Sequence, residues 1–139
     1  MVRARVRIDP RSLDRILGDY CERRLGEIAE EFVDTARGFS SRRTGALADS
    51  IEAEDVRRQR DRVTCRVFVG EEYGIYQDQG TGIYGPTGER ITAASGGVLV
   101  FDWPSAGGTV FARSVAGSEP TRFWTRTVER WDAIVRAAA

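Results

Sequence analysis

The chain has 139 residues, with 21 basic and 21 acidic side chains and therefore a formal net charge of zero. Hydrophobic residues make up 41% and charged residues 30%, which suits one globular domain large enough to bury a core without staples. The chain contains no histidine, which excludes imidazole metal ligands and His-activated nucleophiles within it. With only Cys21 and Cys65, a thiolate zinc site is excluded as well, and two reduced, buried thiols are expected.

Val2, Ala4, Val6 and Ile8 alternate with Arg3, Arg5 and Arg7, a period that predicts a half-buried strand over 2–8. That segment lacks the continuous apolar stretch of a signal peptide, so a protein made in the cytoplasm is expected. Asp9 or Ser12 can cap the next element, with Pro10 in its first turn. Leu13, Ile16, Leu17, Tyr20, Leu25, Ile28, Phe32 and Ala36 then recur at spacings of three and four, predicting a long amphipathic helix over about 11–37. The polar stretch 38–45 breaks this pattern.

Residues 50–57 read as a strand, and the RRQRDR tip turns the chain into a second strand with Val63, Cys65, Val67 and Val69 on one face. Phe68 falls on the outward face, where it is a candidate partner contact. EEYGIYQDQG at 71–80 predicts a short helix closed by Gly80. The stretch 81–97 is too long for an ordinary connection and reads as a functional arm or as a segment ordered on binding. Residues 98–103 and 109–115 form a strand pair around 104–108. Trp124, Val128, Trp131 and Val135 then mark a last helix, capped by Thr121 or Ser118. No apolar run reaches membrane-span length. The order predicts an α+β fold: a mostly antiparallel sheet packed by a long N-terminal helix and a C-terminal helix. It forms a single domain over 1–139 with an extended loop at about 82–97.

Candidate chemistry is sparse. The glycine-rich QGTGIYGPTGER lacks the Gly-Lys-Ser/Thr ending of a phosphate loop, and the chain has no lysine at all. Glu71, Glu72, Asp78 and Glu89 lie near one another in sequence, and two of them could hold a divalent metal in a small hydrolase. Their spacing is not diagnostic, and solvated faces explain them as well. Arg57, Arg58, Arg60, Arg62 and Arg66 crowd one hairpin, which makes a DNA-binding module the other alternative.

Three islands occur in order: TGALADSI at 44–51, YGIYQDQGTG at 73–82 and VFARSVAGSEPTRFWTRTV at 110–128. Together they resemble the head–tail joining proteins of long-tailed bacteriophages, the neck or tail-completion family. Thr44, Gly45, Leu47, Ser50 and Ile51 match the first island of that family. Tyr73, Tyr76, Gly80 and Thr81 match the second, with Gly74 and Asp78 standing where Ala and Glu are usual. Pro120 and Phe123 are separated by two residues where the family has them adjacent.

The resemblance implies a structural virion protein and not an enzyme, with no cofactor and no metal. It implies a homo-oligomeric ring of about six subunits, with about twelve the alternative, at the head–tail junction or the top of the tail. Neighbouring head-completion or connector proteins and tail tube proteins would be its partners. Genomic DNA would pass through the opening without sequence-specific binding, and no membrane is involved. The interface residues then expected are Tyr73, Tyr76, Asp78, Gly80, Thr81, Ile83, Tyr84, Pro86 and Phe68.

Overall fold

The computed structural model describes Arg7 and residues 9–41 and 45–138. The strand expected over 2–8 lies outside the described residues, apart from Arg7, as does Thr44 of the first island.

Helix α1 (Pro10–Phe39) is the scaffold, 30 residues and therefore about 45 Å long. Asp9 caps it: the carboxylate accepts from the backbone N–H of Arg11 and of Ser12, both at 3.3 Å, and from the Ser12 hydroxyl at 2.9 Å. The hydroxyl bond, ahead of the two N–H bonds, holds the Asp9 carboxyl below its ordinary range. Ser40 closes the far end, its N–H on Ala36 O at 3.0 Å and its hydroxyl on Arg37 O at 2.8 Å.

Only the second half of α1 faces the core, through Ala29, Phe32, Val33 and Ala36. The apolar row expected on the same face at Leu13, Ile16, Leu17 and Tyr20 is exposed instead. Among the described residues the covering elements stop short. The C-terminal helix α5 (Trp131–Ala137) runs antiparallel to α1, with Trp131 beside Phe32 at 6.4 Å and its last carbonyls, Val135 O and Ala138 O, held by the Arg24 guanidinium. Beyond Arg24 one flank of α1 is covered, among the described residues, by a hairpin tip alone. Arg58 there pairs with Asp19 at 2.9 Å and donates to Asp14 O at 3.2 Å, in the space Gly18 leaves by lacking a side chain.

A short helix α2 (Ala46–Asp49), not foreseen in the polar stretch, brings Leu47 into the core. The hairpin that follows is interrupted. Strand β1 (Ile51–Ala53) pairs with β4 (Val67–Val69), and β2 (Arg57–Arg58) pairs with β3 (Val63–Thr64), both antiparallel. Between the two ladders 54–56 oppose 65–66, so one extra residue bulges while Glu54 N still donates to Arg66 O at 2.8 Å. Val63, Cys65, Val67 and Val69 remain the half-buried face, and Phe68 points outward opposite Glu52.

Helix α3 (Gly74–Gln79) starts against that hairpin: a side chain at buried Gly74 would lie 2.8 Å from Val69 Cγ1. The long stretch expected as a functional arm or as a segment ordered on binding is pinned in places. It holds a single turn at Gly82–Tyr84 and a strand β5 (Ile91–Thr92). That strand pairs with β8 (Ser114–Val115), and Arg90 Nε donates to Ser114 Oγ at 3.0 Å. Inside this pair lies the hairpin of β6 (Leu99–Trp103) and β7 (Gly108–Ala112), turned at Pro104–Ala106.

The last helix is two helices, α4 (Phe123–Glu129) and α5, broken at Arg130. The break rotates the buried face to Phe123, Thr127 and Ile134, leaving Val128 and Trp131 of the expected stripe exposed. Thr127 is tolerated inside because its hydroxyl donates to Phe123 O at 2.7 Å. Phe123 and Ile134 join Phe32, Val33, Ala36, Leu47 and Ile51 in the core, with Trp124 edge-on to Phe32 at 5.2 Å. The fold is α+β, with its strands in four two-stranded antiparallel ladders among the described residues instead of one continuous sheet. No described helix is long and apolar enough to cross a membrane.

Candidate protein interface

The chain between α3 and α4 leaves the helical body and returns to it through a backbone clasp. Thr81 N donates to Ser118 O at 2.9 Å and Ile83 N to Ala116 O at 2.8 Å, while Ser118 N donates to the Thr81 hydroxyl at 2.9 Å. One step further in, Thr121 gives both its N–H and its hydroxyl to Gln77 O, each at 2.8 Å, and Arg122 N donates to Asp78 O at 3.2 Å. Segments 77–83 and 116–122 thus lie side by side. Gly80 makes this approach possible: its φ is +79°, and a side chain there would sit 2.9 Å from Pro120 Cδ and 3.0 Å from Ser118 O. Gly82 and Gly117 close the other side, where any side chain would strike Ala116 O and Thr81 O respectively.

Asp78 ties the clasp to the core. Its Oδ1 accepts from Trp124 N at 2.8 Å and Thr125 N at 3.1 Å, and its Oδ2 accepts from the Thr125 hydroxyl at 2.8 Å. Helix α4 has no cap of its own, because Arg122 stands at the N-cap position with φ +54°. Asp78 is the cap, supplied from another helix, and neither Thr121 nor Ser118 performs that role. The expected interface residues therefore divide. Asp78, Gly80 and Thr81 are used within the chain, whereas Phe68, Tyr73, Tyr76, Ile83, Tyr84 and Pro86 are exposed, Tyr76 to 61%.

The outer hairpin adds apolar surface that sequence reasoning did not single out. Val100 and Phe111 are cross-strand partners, 58% and 69% exposed. On the opposite face Phe101 and Trp103, ring centroids 6.2 Å apart, line an open groove with Thr81, Ile91, Val110 and Val115. The alternation of 98–103 carried this signal, since both of its faces are apolar. Gln77, Ala116, Gly117 and Thr121 of the clasp were also missed, because their roles depend on a partner about 40 residues away in the chain.

The arginines of the hairpin are largely committed locally. Arg57 and Arg66 pair with Glu54 at 3.7 and 3.5 Å, Arg58 with Asp19, and Arg62 with Asp61 at 3.3 Å. Among the described residues no group of three or more Cys, Asp or Glu is placed to hold a metal ion. Both cysteines are free. Cys21 is exposed, not buried as expected, while Cys65 is half-buried and directs its thiol to Glu54 O at 3.1 Å. Burial first, and then the Glu54 and Asp55 carboxylates, push the Cys65 thiol above its ordinary pKa.

A helical body thus grips a β-arm by its root, and aromatic side chains lie open on the arm. Residues 11–80, half of the chain, match the model of the HK97-gp10-like family, described as a candidate tail component of bacteriophage HK97. The chain belongs to that family, and with it to the structural components of the phage tail. The match runs from the first turn of α1 to Gly80, the first glycine of the clasp. No curated protein and no solved structure matches the chain.

Proposed function

We propose that the protein is a subunit of the phage head–tail interface, forming an oligomeric ring in the neck or at the head-proximal end of the tail. DNA would pass through the ring. The observation that carries this reading is the clasped arm: 77–83 and 116–122 fix its direction, and its apolar side chains find no place in the core. A two-stranded ribbon of this kind is only marginally stable alone in water and gains stability by packing on another surface. Phe68, Tyr73, Tyr76, Ile83, Tyr84 and Pro86 are the docking side chains in this reading, and Asp78, Gly80 and Thr81 fix the root of the arm that carries the last three. The partners are identical copies, connector or head-completion proteins on one side and tail tube proteins on the other. DNA slides past without sequence-specific contacts, in keeping with the zero net charge.

Electron microscopy of particles made with this gene silenced tests the proposal. Filled heads beside separate tails of normal length are the expected result for a neck subunit, and overlong tails for a subunit that ends the tube. Intact infectious virions would overturn it.

A further inference from the structure

Two surfaces on opposite flanks of α1 are complementary to each other. On one flank, Arg126 and Arg130 sit one helical turn apart with their guanidinium groups 4.0 and 5.1 Å from the centre of the Phe39 ring. Both side chains are exposed, and neither has a carboxylate partner among the described residues. The stacking holds two positive charges in place before any partner arrives.

On the other flank, α1 and the β1 segment enclose an open groove. Ala29, Val33 and Val56 form its apolar floor, and Glu30, Asp34, Glu52 and Asp55 stand around it. All four carboxylates are exposed and unpaired among the described residues. The one arginine in the groove, Arg37, is committed to Ala48 O at 3.1 Å and Ile51 O at 2.8 Å. At 100° per residue the groove-lining positions of α1 and Phe39 lie roughly 150° apart around the helix. The two surfaces cannot meet within one chain. They can meet between copies, and a contact of that kind is head-to-tail, the type that closes rings or grows filaments.

We infer that the Arg126–Arg130 pair of one copy docks in the α1–β1 groove of the next. The inference rests on the ring reading above and names the contact that repeats around the ring. Opposite charges set the register and speed the encounter, and the apolar floor receives the stems of the arginines.

Charge reversal tests it with the full chain. One variant carries Arg126→Glu and Arg130→Glu, the other Glu30→Arg and Asp34→Arg, all at exposed positions. Sedimentation velocity at low salt should show the wild-type chain associating, with each variant alone at least tenfold weaker. An equimolar mixture of the two variants should recover association, because each reversed surface then meets its complement. Wild-type association should weaken as salt is raised. The docking is overturned if either variant alone assembles like the wild type, or if the mixture fails to recover. Normal rings from a reversed variant would remove this docking and leave the ring reading standing. A wild-type chain that stays monomeric at every concentration would remove both. Circular dichroism melts of each variant separate lost docking from lost folding.

Discussion

Thr125 and Asp78 lie on different helices and share two hydrogen bonds, Thr125 Oγ1 to Asp78 Oδ2 at 2.8 Å and Thr125 N to Oδ1 at 3.1 Å. With the Trp124 N–H also on Oδ1, the carboxylate satisfies two of the donors that the first turn of α4 leaves open. It also places negative charge at the positive end of the helix. The same residue therefore starts α4 and fixes the end of α3, from which the arm departs.

Replacing Asp78 by Ala should cost about 2 kcal/mol, the sum expected for a lost cap and for charge-assisted bonds at a half-buried site. Asn, which keeps one acceptor, should cost less than Ala. Urea denaturation measures both. An Asp78→Ala chain as stable as the wild type would mean that α4 starts without this contact.

The glycines give predictions of opposite sign. Gly80→Ala forces a side chain into positive φ and against Pro120 and Ser118 O, so it should destabilise by about 2 kcal/mol and loosen the clasp. Gly38, exposed in the last turn of α1 with nothing near its missing side chain, should behave in the reverse way. There Ala should stabilise by about 0.5 to 1 kcal/mol through helix propensity alone. Thermal melts of the two variants decide the matter. Equal shifts would show that the clasp does not constrain Gly80.

Much of this architecture is legible in sequence because it follows local rules. Asp9 and Pro10 announce α1, the alternation at Val63–Cys65–Val67–Val69 announces the hairpin face, and Gly80 announces the end of α3. What escapes is whatever depends on a distant partner. The row Leu13–Ile16–Leu17–Tyr20 has the periodicity of a core face, yet among the described residues no element folds back far enough to cover it. The cap of α4 lies more than 40 residues upstream, so no local scan finds it. For the candidate interface, periodicity picks out Phe68 as outward-facing, but it says nothing of the clasp that aims the arm.

Cys65 makes a prediction about pH and reactivity. Its thiol is raised by burial and by Glu54 and Asp55, so at neutral pH it is more completely protonated than an exposed thiol and reacts slowly as a nucleophile. Iodoacetamide should label exposed Cys21 first, with Cys65 following only at higher pH, as read by peptide mass spectrometry. The sign for stability follows from the same shift. A pKa higher in the folded chain than in the unfolded one contributes stability that is complete below the unfolded thiol's pKa. That contribution is lost as pH rises through the folded value. Cys65→Ser, which removes the titration, should flatten the alkaline side of the stability profile. Faster labelling of Cys65 than of Cys21 would contradict the burial.

Phe111 separates the work of the arm from the work of the core. It is 69% exposed on the outer hairpin, opposite Val100, whereas Phe123 is 1% exposed between α1 and the rest of the core. Phe123→Ala should cost about 3 to 5 kcal/mol, the range for removing a buried aromatic ring. Phe111→Ser should change monomer stability by less than about 1 kcal/mol, because its ring already sits largely in water. If the arm docks on neighbouring subunits, that same substitution leaves an apolar pocket unfilled there, and infectious titre should fall by about tenfold or more. Trp103→Ser, on the opposite face of the same hairpin, tests which face is buried on assembly. A titre unchanged by both substitutions, in chains that fold normally, would remove the hairpin from the interface and leave contact to Ile83 and Tyr84 at its root.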